Sequence, residues 1–104
     1  MRKYLVAPLA AAALVVALIA AIPAQGAGSV AVKDNLFSPK AVTVKAGGKV
    51  TWTWAGRAPH NVTFRSTHSK TQTKGTFSLA FKNKGTFAYK CTIHPGMVGT
   101  VKVN

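Results

Sequence analysis

In short stretches between Ser29 and the end of the chain, apolar and polar side chains alternate with a period of two, which is typical of half-buried β-strands. Nowhere in this region does the 3.6-residue spacing of an amphipathic helix appear. About seven short strands separated by turn residues predict an all-β fold, a Greek-key β-sandwich or barrel. The rows predicted to face the core are, in chain order, Val30 and Val32; Val42 and Val44; Val50, Trp52 and Trp54; His60, Val62 and Phe64; Phe77, Leu79 and Phe81; Phe87, Tyr89 and Cys91; and Val101 and Val103.

The segments between these strands contain turn-forming or wholly polar residues. "AGGK" and "KNKG" predict tight turns, and "DNLFSP" predicts an irregular connection that Pro39 ends. Residues 65–76 contain no apolar side chain, so we expect them to form a long, solvated loop. His68 lies in this polar loop, and we expect it to bind nothing specific.

The chain begins with a basic "MRKY", which an unbroken run of 18 apolar residues follows. This order is typical of an export signal, and small residues in "PAQGAGS" fit a signal peptidase that cuts after Ala24 or Gly26. An uncleaved membrane anchor is the alternative, because such a run is near the minimum length for crossing a bilayer. We therefore predict a signal helix in residues 1–26 and one domain in residues 27–104, which is periplasmic or extracellular and either free or tethered.

The charge balance of the chain is strongly basic. Fourteen Lys and Arg residues oppose one acidic residue, Asp34, for a formal net charge of +13, and loss of Arg2 and Lys3 with the signal would leave +11. A charge of this size favours acidic protein faces, anionic membrane lipid or cell-wall polymer as partners. Nucleic acid is not an expected partner of an exported chain. Lysines spread over the strands also keep the strand edges soluble and unpaired.

The same composition limits the possible enzymatic chemistry. A single carboxylate excludes acid and base catalysis by paired carboxylates. The sequence also has no Ser, His and Asp set and no phosphate-binding loop. A Cys and His pair for nucleophilic catalysis is conceivable, but two histidines and a methionine around one thiol leave no obvious oxyanion site. We expect that the protein is not an enzyme.

The stretch "KCTIHPGM" gathers three possible metal ligands. It holds the only cysteine, Cys91, followed closely by His94 and Met97. A lone cysteine cannot form an internal disulfide, so a metal ligand is one of its remaining roles. These three side chains can face one centre because the loop that carries them is short. His60 must come from elsewhere, and it can meet Cys91 if their strands are antiparallel neighbours, because the start of one then lies beside the end of the other.

Two imidazoles, one thiolate and one thioether form a donor set that suits copper. Two His and one Cys in a plane with a weak axial Met is the arrangement of blue-copper electron-transfer sites. Zinc can also bind Cys and His, but an axial methionine offers zinc little. The donor set therefore predicts one copper ion that alternates between Cu(II) and Cu(I).

The sequence "YKCTIHPGM", together with "APHNVTF", resembles the small blue copper proteins, or cupredoxins, of the plastocyanin and amicyanin type. The resemblance extends over the whole domain and implies a cupredoxin-like fold with His60, Cys91, His94 and Met97 as copper ligands. It also implies that Asn61 ties the two ligand segments together and that a backbone amide donates to the Cys91 sulfur.

By the same resemblance, His94 is the partly exposed ligand through which electrons pass, within an apolar patch that includes Ala58, Pro59 and Pro95. The chain lacks the acidic patch through which plant plastocyanins meet their partners, and its charge argues against a photosynthetic role.

The main functional hypothesis is an extracytoplasmic carrier of single electrons. We expect a monomer that meets a redox partner protein through an acidic docking face on that partner. The alternative is a copper-binding protein that stores or delivers the metal without carrying electrons. A third hypothesis is a cationic surface binder with a vestigial site, which would bind anionic lipid or wall polymer whether or not copper is present.

Overall fold

The computed structural model describes residues 27–104. The predicted signal helix and its alternative, a membrane anchor, fall in residues 1–26 and therefore lie outside the described residues. Within residues 27–104 the structure contains no helix with the length and apolar character needed to span a membrane. The described chain forms seven strands: β1 (Ala27–Lys33), β2 (Leu36–Ser38), β3 (Ala41–Val44), β4 (Gly48–Trp54), β5 (Thr76–Phe81), β6 (Gly85–Lys90) and β7 (Val98–Val103).

The strands form two sheets that pack into a sandwich. One sheet has the order β2-β1-β4-β5, and the other has the order β3-β7-β6. The β1–β4 and β3–β7 pairs are parallel, whereas the remaining pairs are antiparallel. The predicted all-β sandwich of about seven strands is therefore confirmed.

Aromatic side chains fill the space between the sheets. Trp52 is fully buried. Its ring makes T-shaped contacts with Tyr89, at 5.4 Å between centroids, and with Phe64, at 5.7 Å. Such contacts contribute about 0.5–1.5 kcal/mol each beyond the burial of apolar area. Trp54 is also buried, so both tryptophans are core residues, as the alternation predicts.

A short strand occupies the connection that the sequence predicts to be irregular. The chain turns at Asp34 and Asn35, where Asn35 has a φ of 68°, and β2 then pairs antiparallel with β1. Phe37 in β2 is buried and packs on Tyr89 at 4.7 Å between ring centroids. The prediction was wrong because a strand of three residues is too short to show an alternating pattern.

Residues 60–64 do not form the strand that their alternation predicts. They make only isolated bridges, from His60 to Gln72 and from Thr63 to both His68 and Lys90. His60 and Val62 are buried as predicted, but the intervening Asn61 is buried as well. In a regular strand, alternate residues face the core and those between them face away. Here three consecutive side chains are buried, because Asn61 also points inward, and the segment therefore departs from a regular ladder.

The polar loop before β5 is largely exposed, as predicted, and it ends where β5 begins at Thr76. One residue in it is an exception, since Ser69 is buried and its hydroxyl accepts a hydrogen bond from the Val62 amide at 2.9 Å. His68 is exposed, and its Nδ1 donates to the Ser69 carbonyl at 2.8 Å.

Candidate metal centre

Three connections meet at one end of the sandwich. Because β1 and β4 are parallel, the segments that leave them, at Asp34 and at residues 55–60, emerge at the same end. The loop of residues 91–97 joins the end of β6 to the start of β7, which pair there through Lys90 and Val98. An antiparallel bridge between Thr63 and Lys90 brings this loop beside His60. The predicted antiparallel meeting of His60 and Cys91 is confirmed.

Two imidazoles and one thiol converge at this end. The ligand atoms of His60, Cys91 and His94 all lie within 4.8 Å of one another. Cys91 Sγ is 3.9 Å from His60 Nδ1 and 3.5 Å from His94 Nδ1, and the two Nδ1 atoms are 3.1 Å apart. Bonds of about 2.0–2.3 Å from one metal ion to nitrogen and sulfur would space the donor atoms in this range. The geometry therefore fits a single shared ion.

The loop of residues 91–97 is closed by its own backbone. The Cys91 amide donates to the Met97 carbonyl at 3.0 Å, and the Met97 amide donates to the His94 carbonyl at 3.1 Å. Gly96 has a φ of 85°, a conformation that favours glycine and allows the tight turn. Met97 is 1% exposed and lies at the end of the same loop as Cys91 and His94. The fourth residue of the predicted ligand set is thus buried in the ligand loop.

The backbone of His60 is fixed on both sides. Its amide donates to the Gln72 carbonyl and its carbonyl accepts from the Gln72 amide, each at 3.0 Å. The Trp54 indole Nε1 also donates to the His60 carbonyl at 3.0 Å. Since the His60 side chain is fully buried, these contacts hold a ring that solvent does not reach.

Asn61 links the two ligand segments, as the resemblance implies. Its Oδ1 accepts from the Thr92 amide at 3.0 Å, and its Nδ2 donates to the Thr92 hydroxyl at 2.8 Å. The same side chain also contacts the hydroxyls of Thr63 and Thr71. In residues 27–104 the hydrogen-bond contacts of Cys91 Sγ are with the two imidazoles, so the backbone amide predicted at this sulfur is not seen.

Asp34 is a residue of the site that sequence reasoning missed. Its Oδ1 lies 2.8 Å from His60 Nε2, on the side of the ring opposite the sulfur. The hydrogen bond with His60, followed by those from the Arg57 and Ala58 amides, lowers the pKa of the Asp34 carboxyl from 3.8 to about 2. Asp34 and His60 are far apart in the sequence, so only the register of β1 against β4 reveals the contact.

Two exposed apolar residues flank one imidazole of the site in the chain. His94 is partly exposed, whereas His60 and Cys91 are buried. Next to His94 in the chain, Pro95 is exposed and Ile93 is 45% exposed. Pro95 was predicted to lie in an apolar patch beside His94, whereas the exposure of Ile93 was not predicted, because an apolar side chain of this kind is ordinarily assigned to a core.

The fold and the donor set define a class of protein. A rigid all-β sandwich that gathers two imidazoles and one thiol at one end fits a small protein with a single soft-metal centre. His68, which was predicted to bind nothing specific, lies outside this cluster. Of the metals that accept such donors, copper is favoured by a mixed set of imidazole and sulfur.

Comparison with known proteins makes this class specific. Residues 26–104 match the model of the copper binding proteins of the plastocyanin/azurin family. Amicyanin-alpha of Methylorubrum extorquens is 38% identical over 104 residues, which cover 90% of this chain and 87% of that protein. Plastocyanin of Prochlorothrix hollandica is 34% identical over 106 residues, with 83% and 80% covered. The chain belongs to the plastocyanin/azurin family of copper binding proteins.

Solved structures agree with this assignment. A reduced Cu(I) form of an amicyanin mutant superposes with a TM-score of 0.70 at 33% identity, covering 82% of this chain and 89% of that one. A purple cupredoxin from Nitrosopumilus maritimus has a TM-score of 0.69 at 24% identity, covering 74% and 99%, and supports the fold alone. Family membership and the cluster of His60, Cys91 and His94 identify a type 1 copper electron carrier with a site for one copper ion.

Proposed function

We propose that His60, Cys91, His94 and Met97 form the copper site through which this exported protein carries single electrons. The proposal rests on the convergence of the Nδ1 atoms of His60 and His94 and the Sγ atom of Cys91 at one end of the sandwich. Bound copper would supply the one-electron chemistry by alternating between Cu(II) and Cu(I). The chain's part is to hold the donors in one arrangement, so that little has to move when the charge changes.

Each ligand has a distinct position that suits a distinct role. The Cys91 thiol and the His60 imidazole are buried and exclude water from the inner side of the site. Met97 is buried in the same loop as Cys91 and His94, and its thioether would serve as a further, weaker donor to copper. His94 is the cluster member that reaches the surface, and we infer that electrons enter and leave through its ring.

The surface around His94 suits a transient protein partner. The apolar residues Ala58, Pro59, Ile93 and Pro95 lie within two residues of His60 or His94 in the chain and are at least partly exposed, so a matching face can desolvate them without loss of polar contacts. The net charge of the chain is strongly positive, which favours an acidic docking face on the partner and fast, salt-dependent association. We propose a monomer that meets this partner outside the cytoplasm, with no role for nucleic acid.

Electron transfer fits the site better than catalysis or metal delivery. With four ligands from the protein, no coordination position would remain open for a substrate, so we propose no enzymatic activity. A Cu-containing nitrite reductase from Thermus scotoductus shares the fold at 19% identity and over only 22% of its own chain. Burial of Cys91 and His60 also favours retention of the ion over its release to a partner.

The proposal is tested by adding Cu(II) to the purified apoprotein. We expect one equivalent to bind and to produce an intense visible band from the thiolate-to-copper transition. Cys91→Ser removes the thiolate and should abolish the band, whereas Met97→Leu removes only the weaker thioether donor and should keep a band while changing the reduction potential. Persistence of the band in Cys91→Ser would refute the ligand assignment. Rapid copper loss to a chelator without reversible electron exchange at an electrode would favour metal delivery instead.

A further inference from the structure

The one acidic residue of the chain contacts a copper-ligand histidine. Asp34 Oδ1 lies 2.8 Å from Nε2 of His60, whose ring is fully buried. The other nitrogen of that ring, Nδ1, faces the sulfur of Cys91 and Nδ1 of His94. The imidazole therefore lies between a carboxylate on one side and the metal cluster on the other.

The fold holds the Asp34 carboxylate in this place through several contacts. Asp34 follows β1 directly, and the parallel pairing of Val32 with Trp54 puts the turn beside the segment that leads to His60. The Arg57 amide donates to both carboxylate oxygens at 3.1 Å, and the Ala58 amide donates to Oδ1 at 3.0 Å. The carboxylate is thus anchored to the same segment that carries the histidine.

Gly56 leaves room for this approach. A Cβ atom built on Gly56 would overlap the Asp34 carboxylate, with the carboxyl carbon at 2.7 Å and the Asp34 backbone nitrogen at 2.8 Å. The crowding involves backbone as well as side chain, so a larger residue could be accepted only if the turn at Asp34 moved away. The position of Asp34 therefore depends on a glycine on the other side of the contact.

From this geometry we propose that Asp34 is a positioning residue for the copper site, and this inference rests on the proposed function. By accepting the proton on His60 Nε2, the carboxylate fixes the tautomer in which the Nδ1 lone pair points at the ion. It also prevents the ring from rotating, and it makes the imidazole a stronger donor. Partner groups of this kind typically change metal affinity about 10-fold to 100-fold when they are removed.

The charge of Asp34 adds a second effect on the reduction potential. A carboxylate on the outer nitrogen stabilises the oxidised ion more than the reduced one, because Cu(II) carries the larger positive charge. Removal of the carboxylate should therefore weaken Cu(II) binding more than Cu(I) binding. A tenfold difference between these two losses corresponds to a rise of about 59 mV in the potential.

The first experiment compares Asp34→Ala and Asp34→Asn with a control of equal charge change. Asn83→Lys serves as the control, because Asn83 is exposed in the β5–β6 turn and the substitution also raises the net charge by one. We expect Asp34→Ala to lose about 10-fold to 100-fold in Cu(II) affinity and to raise the potential. Asp34→Asn keeps an acceptor oxygen and should show a smaller loss. Equal affinities and potentials in Asp34→Ala and Asn83→Lys would overturn the proposal.

A second experiment changes Gly56, the residue against which the Asp34 carboxylate packs. Gly56→Ala leaves the carboxylate in the chain but displaces it, so it should lower Cu(II) affinity as Asp34→Ala does. The double variant should be no weaker than the stronger single variant, because both remove one contact. Additive losses would contradict a shared mechanism and so count against the proposal.

The tautomer of His60 can be measured without copper. In the apoprotein, ¹⁵N chemical shifts of the ring should report a proton held on Nε2, and Asp34→Asn should shift the ring toward a mixture of tautomers. This readout does not depend on a loaded site, and Asp34→Asn is expected to fold because it keeps the acceptor for the Arg57 and Ala58 amides. An unchanged tautomer in Asp34→Asn and Asp34→Ala would overturn the inference, whereas a colourless wild type with Cu(II) would instead defeat the proposed function.

Discussion

Compared with the loop of residues 91–97, which carries its ligands within one short stretch of chain, the His60 side of the copper site is assembled from distant segments. The loop is closed by backbone hydrogen bonds between its own residues. His60 depends instead on Gln72 and Trp54 for its backbone, and on Asp34 for its ring. One half of the site is thus a local structure, and the other half is a consequence of how the sheets pair.

The two halves also differ in their exposure to solvent. His94, from the loop, is partly exposed, whereas His60 is fully buried. This difference separates two tasks that the site must perform. The exposed imidazole can exchange electrons with a partner, while the buried one, held by Asp34, keeps the geometry constant.

The largest expected effect comes from removing each histidine in turn. His94→Gly opens a gap at the surface, and added imidazole should enter it and restore the visible band of the Cu(II) protein. His60→Gly opens a gap in the interior, so the same imidazole concentration should not restore the band. The absorbance of the visible band during an imidazole titration measures the rescue of each variant. Equal rescue of the two variants would contradict the difference in accessibility.

An intermediate effect is expected at the contact that joins the halves. The buried Asn61 side chain makes four hydrogen bonds, to Thr63, Thr71 and twice to Thr92. At about 0.5–1.5 kcal/mol each, their loss in Asn61→Ala should lower the free energy of unfolding of the apoprotein by about 2–6 kcal/mol. Denaturant unfolding measures the change, and Asn83→Ala in the exposed β5–β6 turn is the matched control. A loss no larger than that of the control would mean that Asn61 does not hold the halves together.

The smallest effect is expected beneath the site, where β6 leads into the ligand loop. Within the described residues, the Tyr89 hydroxyl is buried and makes no hydrogen bond of good geometry; burial raises the pKa of this phenol, and the nearby Trp52 indole offsets only part of that effect. Tyr89→Phe removes a polar atom whose desolvation is poorly compensated in the core, so it should stabilise the apoprotein by about 1 kcal/mol. Thermal unfolding measures the shift. A lower stability would reveal a partner for the hydroxyl, such as a bound water.

The local half of the site could be predicted from the sequence because spacing alone determines it. Cys91, His94 and Met97 are close enough along the chain that one loop must bring them together, and a strict period of two predicts the buried rows of β4 and β6. The sandwich itself follows from the same alternation, repeated over several strands.

The distant half could not be predicted in the same way. Residues 60–64 alternate like a strand, yet the inward contacts of Asn61 replace the ladder that would make them one. Phe37 in β2 is too isolated for its burial to show in a pattern. Asp34 reaches His60 only because β1 and β4 pair in parallel with Val32 beside Trp54. Register between distant strands is a property of the packed sheet, and periodicity does not encode it.

The most direct test of the account is X-ray absorption at the copper edge on the protein loaded with one equivalent of copper. We expect the copper to be bound by two nitrogen atoms and one close sulfur. This set of donors should remain in both oxidation states because the sandwich holds the side chains in place. A shell of nitrogen and oxygen atoms without sulfur would contradict a site built on Cys91, and with it the central claim.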